Sequence, residues 1–221
     1  MCSDDMTTPH HPITAGQSPA ATERKRLYAF DFDGTLTTRD TLLAFIRHVR
    51  GLPALLGGLL LHAPLLVLMK LKLYSNSRAK QRLFSFYFRG MPLEAFDACC
   101  RSFAHDSAHL LRPQGLAAMD RALAEGAEVL IVSASIDNWV APFFLPHRQV
   151  RVLGTQVEVA GGRLTGHFAS PNCYGAEKVR RVETALSGPR SHYFITAFGD
   201  SRGDCELLAY ADQGYYKPFR P

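Results

Sequence analysis

Tyr28-Ala29-Phe30-Asp31-Phe32-Asp33-Gly34-Thr35-Leu36-Thr37, YAFDFDGTLT, decides how the rest of this chain is read. The stretch begins as a buried strand, with Leu27, Ala29, Phe30 and Phe32 apolar, yet it carries two carboxylates two residues apart and then stops at a glycine. Strand side chains repeat every second residue, so Asp31 and Asp33 point to one side if the strand persists that far, and like charges repel there. Something must make that arrangement favourable.

Working outward, the apolar run Leu27 to Phe32 reads as a buried parallel strand. Gly115 to Glu125 has helical spacing with Gly126 placed as a C-cap, and Glu128-Val129-Leu130-Ile131-Val132 follows as a second buried strand ending at Ser133. Tyr193-Phe194-Ile195-Thr196-Ala197-Phe198 is a third, ending at Gly199-Asp200. This alternation of helix and strand is the pattern of an α/β fold, a doubly wound Rossmann-like parallel sheet. Ligands of such sheets bind beyond the carboxyl ends of the strands, so the three ends can converge on one site. The segment VEVAGGRLTG, residues 157–166, reads as a β-hairpin forming a small flap or edge extension.

Residues from about 39 to 112 contain no comparable strand and look helical throughout. They separate the first strand from the second by far more than an ordinary crossover needs. The expected division is a disordered tail over 1–25, a catalytic core over 26–38 and 113–221, and an inserted helical cap over 39–112, above the strand ends.

The chain has 221 residues, 47% of them hydrophobic and 20% charged, as in a globular protein, and a formal charge of +5 that is too small to imply nucleic acid. Five cysteines, odd in number and without a CxxC pair, indicate neither a disulfide framework nor a zinc site. A reducing cytoplasm is the default. The first residues lack an apolar run and include Asp4 and Asp5, which argues against a targeting signal, and His10-His11 reads as a solvated pair within the tail.

A divalent cation at the strand end answers the opening question, because it turns repulsion between carboxylates into attraction. Mg²⁺ prefers oxygen ligands and is often held by one or two carboxylates plus substrate phosphate. Asp31 and Asp200 fit as ligands. Gly34 lets the chain turn sharply and expose backbone N–H groups that can hold phosphate oxygens.

Asp31-Phe32-Asp33-Gly34-Thr35 resembles the DxDGT motif of the haloacid dehalogenase-like superfamily. Ser133 after its strand resembles the second motif, Lys178 in GAEKV the third, and Gly199-Asp200-Ser201-Arg202-Gly203-Asp204 the fourth, GDSxxD. The four occur in order, three of them at strand ends. The hairpin and the following NCYGAEK further resemble the phosphoserine phosphatase-like branch, whose helical cap lies between the first two motifs.

The resemblance implies a phosphatase in which Asp31 attacks phosphorus and forms an aspartyl-phosphate. Asp33 protonates the leaving alkoxide and then activates water, and its backbone carbonyl is the third protein ligand to Mg²⁺. Thr35 and Ser133 offer hydroxyls to phosphate, with Gly34 and Ala134 beside them, while Lys178 supplies a fixed positive charge to phosphate and nucleophile. Asp200 binds the metal, and Asp204 orients that shell.

Each motif alone has a plainer meaning. An isolated Asp-x-Asp is usually a turn, Ser133 a helix cap, Lys178 a solvated charge, and Asp204 the cap of the helix containing Leu207-Leu208. Their joint occurrence favours chemistry. Asp33 also separates phosphate transfer from dehalogenation, which needs no acid there, and a phosphomutase ranks below a hydrolase.

Residues 51–69, GLPALLGGLLLHAPLLVLM, contain no formally charged side chain and are flanked by Arg47, Arg50, Lys70 and Lys72. A single span would put Asp31 on the opposite side of the bilayer from Ser133, Lys178 and Asp200. Gly57-Gly58 and Pro64 are expected to interrupt the run, and the expectation favours contact with a membrane surface over packing inside the cap. This region resembles bacterial phosphatidylglycerophosphate phosphatases more than phosphoserine phosphatase, with Asp40 where the latter has Glu. Arg78, Lys80, Arg82 and Arg89 could hold a second anionic group of a substrate, although surface solvation is the expected fate of most of them, and Phe84, Phe86, Tyr87, Phe88 and Phe96 are read as the core of the cap.

The expectation is therefore a Mg²⁺-dependent phosphomonoester hydrolase acting on a small phosphorylated metabolite or lipid headgroup. It is placed in the cytoplasm, with a peripheral position on the inner face of a membrane. The alternatives are phosphoserine phosphatase proper, or a membrane-surface phosphate-binding protein without turnover.

Overall fold

The computed structural model describes residues 24–71 and 73–220. Strand β1 (Lys25–Phe30) leads into helices α1 (Thr41–Leu61), α2 (Ala63–Lys70), α3 (Asn76–Phe88), α4 (Leu93–Asp106) and α5 (Pro113–Ala124). There follow β2 (Glu128–Ile136), α6 (Asp137–Val140), β3 (Val150–Thr155), β4 (Val157–Ala160), β5 (Arg163–Phe168), α7 (Ala176–Ala185), β6 (Tyr193–Gly199), α8 (Cys205–Tyr210) and β7 (Gln213–Tyr216). The expected tail falls outside the described residues except at its end, where Arg24 donates to Asp212 Oδ1 at 2.9 Å and Lys25 already belongs to β1.

Five strands pair in parallel in the order β3-β2-β1-β6-β7. The chain winds outward from β1 to β3 and then returns to lay β6 against the other side of β1, so the order reverses between β1 and β6. That reversal opens a crevice at the carboxyl ends of the two strands. Their side chains explain the central position: Leu27, Ala29 and Phe30 of β1 and Ile195 and Ala197 of β6 are wholly buried, as a strand covered on both faces requires.

Strand β1 ends at Phe30, one residue before the acidic pair. Asp31 to Leu36 turn instead, with Gly34 at φ +81°, so the two carboxylates diverge rather than lying side by side on one strand face. Strand β2 runs past Ser133 to Ile136, with its pairing to β3 interrupted between Val132 and Ile136. Such irregularities re-aim side chains near functional sites.

The helical segment from α1 to α4 is entered and left at one tied point. Thr37 bridges Leu111, Thr38 N donates to Leu110 O at 2.9 Å, and Arg112 N donates to Leu36 O at 2.7 Å. Its interior is aromatic: Phe45 packs against Phe88, Phe96, Phe103 and Trp139 with ring centroids 4.9–5.6 Å apart. Phe86, expected in that core, is instead 50% exposed. Phe84, Tyr87, Phe88 and Phe96 are buried as expected.

Helix α1 breaks at Gly51, followed by Pro53, and the next break falls at His62. Gly57 and Gly58, expected to interrupt the run, lie inside the second half of α1. Gly58 is there for space, because a Cβ would stand 1.9 Å from Tyr87 Oη, which donates to the carbonyls of Ala54 and Leu55. The hairpin β4–β5 forms a sheet of its own and not an extension of the large one. It docks against α3, with Gly90 N on Leu164 O at 2.8 Å and Phe168 packed on Phe84.

Candidate active site

Asp31 follows β1 directly, and its amide donates to Phe198 O of β6 at 2.8 Å, which fixes the carboxylate at the switch point of the sheet. Lys178, from the first turn of α7, is 1% exposed and donates to Asp31 Oδ1 at 2.5 Å, Asp204 Oδ1 at 2.6 Å and Val132 O at 2.7 Å. All three ammonium protons are spent, as burying a charge demands. Burial works against that charge, but the two carboxylates outweigh it and raise the Lys178 pKa. Burial also pushes Asp31 up to about 8, with Lys178 pulling the other way and Asp204 and Asp33 adding to the rise.

The turn after β6 supplies the second acidic group. Asp204 Oδ2 accepts from the amides of Asp200 and Ser201 and from Ser201 Oγ, within 3.1 Å, closing a reciprocal cap on that turn. Burial opposes its charge, yet Lys178 and the Ser201 donors hold Asp204 below the usual carboxylate range. Asp204 is therefore a buried bridge between Lys178 and the turn that carries Asp200. Burial raises Asp200, against the pull of Arg220, whose guanidinium pairs with its carboxylate.

Asp33 faces elsewhere. Its Oδ1 accepts from Thr41 N at 2.7 Å and Thr41 Oγ1 at 2.6 Å, and its Oδ2 accepts from Ser135 Oγ at 2.5 Å. Asp31, Asp200 and Asp204 each offer an oxygen within 4.8 Å of one another, and the Asp33 carboxylate lies outside that group. Gly34 runs directly against Asp200, where a Cβ would come 2.4 Å from Oδ2. The early acidic turn and the late GDSRGD turn thus share one neighbourhood.

Of the remaining motif residues, Gly34 and Ala134 line the cavity, and Thr35 and Ser133 are buried beneath its floor. Thr35 Oγ1 donates to Asp31 Oδ2 at 3.0 Å, so its hydroxyl orients that carboxylate here. Gly34 N, expected to be open, donates to Thr37 Oγ1 at 3.1 Å. Ser133 is fully buried and its Oγ accepts from Ser135 N at 3.0 Å, which leaves the hydroxyl proton for donation. Ala134 lines the cavity, and its carbonyl accepts from Lys80 Nζ at 2.6 Å and Thr155 Oγ1 at 2.9 Å.

The cavity above this floor is about 580 Å³. Asp31, Asp33, Lys178 and Asp200 line one side, and Leu42, Leu43, Leu59, Leu66, Met69 and Leu83 from α1–α3 line the other. Lys80, one of the four cap cations weighed from the sequence as a holder of a second anionic group, enters this space, where enclosure lowers its pKa while Asp33 and Asp40 pull it back up. Asp40 is held at the start of α1, accepting from Leu42 N at 2.8 Å. Sequence reasoning missed Ser135 and Arg220. The first could be found from its two-residue spacing beyond Ser133. The second has no local signal, because the C-terminal segment is brought across the strand ends by Phe219, whose ring packs tilted against Phe198 and stacks on Phe30.

The oxygen-rich group of Asp31, Asp200 and Asp204, to which Lys178 and Arg220 are paired, has the chemistry that suits a hard cation. An α/β sheet with this acidic switch point defines a hydrolase class, and the chain belongs to it: the haloacid dehalogenase-like hydrolase family model matches residues 28–209. Protein CicA of Caulobacter vibrioides is 35% identical over 198 residues, covering 88% of this chain and 86% of its own. A solved structure of a protein of unknown function from Bordetella pertussis Tohama I gives a TM-score of 0.74 at 20% identity, covering 84% of this chain and 86% of that one. Phosphoserine phosphatase in its apo form gives 0.59 at 16% identity, over 85% and 84% of the two chains. The likeness to these two structures is one of fold.

Proposed function

We propose that this chain is a Mg²⁺-dependent phosphomonoesterase that passes a phosphoryl group through Asp31, with a small phosphorylated metabolite or a lipid headgroup as substrate. The observation that carries this reading is the setting of the Asp31 carboxylate. Lys178 holds one of its oxygens and Thr35 the other, at the end of β1 and facing the cavity. A carboxylate fixed at both oxygens has lost the rotational freedom that an attacking group must otherwise give up in the transition state.

Asp31 attacks phosphorus in line, the P–O bond to the leaving alkoxide breaks, and an aspartyl-phosphate forms. Asp33 gives its proton to that alkoxide, then takes one from the water that cleaves the acyl phosphate and regenerates Asp31. Lys178 and the Ser133 hydroxyl face the charge that develops on the phosphoryl oxygens. Asp31, Asp200 and the backbone carbonyl of Asp33 would hold Mg²⁺, with Asp204 fixing the turn that bears Asp200. The bound cation would neutralise phosphate and carboxylate charge together.

The test is release of phosphate from p-nitrophenyl phosphate, with acid-quenched trapping of label on the protein from a ³²P-phosphomonoester. Hydrolysis should vanish on chelation and return with Mg²⁺. Asp200→Asn should raise the Mg²⁺ requirement by at least about 10-fold. Asp31→Asn should lose at least about 10³-fold in rate together with the trapped label. Full turnover by Asp31→Asn, or undiminished activity after chelation, overturns the proposal.

A further inference from the structure

We propose that the second half of α1, together with α2, is a docking surface for an anionic phospholipid bilayer, on which the protein sits without spanning it. This surface is independent of the reaction assigned to Asp31.

Leu52, Leu56 and Leu60 repeat every fourth residue along α1 and are 47%, 55% and 78% exposed. Leu61 at 65% and Val67 at 55% continue the apolar surface across the turn into α2, and Leu71 at 62% extends it past the helix end. Isolated exposed leucines need no explanation, but a continuous run on adjoining helices costs free energy in water and marks a contact surface.

The charges around it choose the occupant. Between Thr41 and Leu93 the sequence has eight lysines and arginines and no aspartate or glutamate, although the whole chain carries only +5, so the remainder is net negative at −3. Arg47, Lys70, Arg78, Arg82 and Arg89 are exposed, and none forms an ion pair with a carboxylate among the described residues. A second copy meeting this face would set like charges against like charges. Anionic headgroups over an acyl interior answer both the leucines and the cations.

The same elements decide between lying on the bilayer and crossing it. Thr41–Leu61 is long and apolar enough to cross by length and composition, and only 22% of its most apolar window is buried. The helix nevertheless kinks at Gly51, and its first half is locked into the protein by Phe45 and Ile46, both wholly buried. Only the second half is free to enter a lipid surface. Leu59, Leu66 and Met69, on the inner side of the same two helices, line the cavity, so a bilayer on the outer side lies one helix thickness from the site.

Co-sedimentation of the full chain with phosphatidylcholine vesicles, with and without phosphatidylserine, tests this. Binding should need phosphatidylserine and weaken with salt. Leu60→Glu/Leu61→Glu should bind at least about 10-fold more weakly, since each glutamate replaces buried apolar area with a charge facing anionic lipid. It should keep p-nitrophenyl phosphate hydrolysis and its melting temperature. Lys70→Glu should weaken binding about 5-fold or more, and Asp31→Asn should bind like the parent protein.

No binding to anionic vesicles, or equal binding by the leucine variant, overturns the inference. So does a dimer in gel filtration that the leucine variant converts to monomer without vesicle binding, which would make a second copy the occupant. Binding without hydrolysis strikes the phosphomonoesterase reading and leaves this surface standing.

Discussion

Asp33 is bonded to Thr41: one carboxylate oxygen accepts both the amide, at 2.7 Å, and the hydroxyl, at 2.6 Å, of the residue that opens α1. The acid proposed to move protons is thus also the anchor of the helical segment above it. Its other oxygen accepts from Ser135 at 2.5 Å, so the turn after β1, the end of β2 and the first turn of α1 meet on a single side chain. A carboxylate held by three donors is positioned without needing a charged partner.

Ser135 can be removed without touching α1. Ser135→Ala should lower kcat for p-nitrophenyl phosphate by about 10-fold to 100-fold, the worth of one hydrogen bond to a charged group, with KM within about twofold. Ser135→Thr should recover most of the loss. Steady-state kinetics on the three proteins decide whether Ser135 positions Asp33 or merely fills space, because a packing defect would move the melting temperature as well.

Lys178 joins Asp31 to Asp204 in a place where all three are nearly inaccessible. Lys178→Met should leave two buried carboxylates facing each other without a cation, at a cost of about 3–5 kcal/mol. Urea unfolding should show it. Asp204→Asn should be milder, because Lys178 keeps Asp31 and the Val132 carbonyl.

Gly58 faces Tyr87 with no room for a methyl group. Gly58→Ala should cost about 1–3 kcal/mol by overpacking, despite the higher helix propensity of alanine. Gly57→Ala, one residue earlier and with open space around it, should be neutral or slightly stabilising. Thermal melts of the pair separate crowding from helix preference.

At the amino end of the sheet, Asp212 gathers Arg24, Arg190 and the amide of Ile195. Its partial burial opposes the charge, but those three donors outweigh it and bring its pKa down to about 2. A folded value below the unfolded one means stability that is complete above about pH 4 and lost as the pH falls toward 2. Asp212→Asn should therefore destabilise at pH 6 by on the order of 1 kcal/mol, allowing for solvent screening, and flatten the acid limb of the stability curve. An unchanged acid limb would count against it.

The three inner strands β1, β2 and β6 were legible because they are covered on both faces and so read as unbroken apolar runs. The edge strands β3 and β7, partly or mostly exposed, carry no such run and were not legible. The candidate site was legible where its residues follow those runs directly: Asp31 after β1, Ser133 within the end of β2, and Asp200 after β6. What sequence spacing could not supply was direction. Alternation put Asp31 and Asp33 side by side, whereas the strand ends at Phe30, two residues short of the expected Phe32, and the turn that follows, with Gly34 at its bend, brings Asp33 to Thr41. Arg220 and Lys80 reach the cavity only through long-range packing, which leaves no periodic trace. The break in α1 was misplaced for a related reason: Gly57-Gly58 and Gly51 look alike in a sequence, and only the neighbour Tyr87 tells a glycine needed for room from one that bends the chain.

The paired neck formed by Leu36, Thr37, Leu111 and Arg112 returns the chain almost to where it departed. A sheet that feels an excursion of this length only as a closed loop keeps its strand register whatever the excursion contains. Selection is then free to rewrite the roof over the acidic floor, changing what is admitted while the reaction below stays the same.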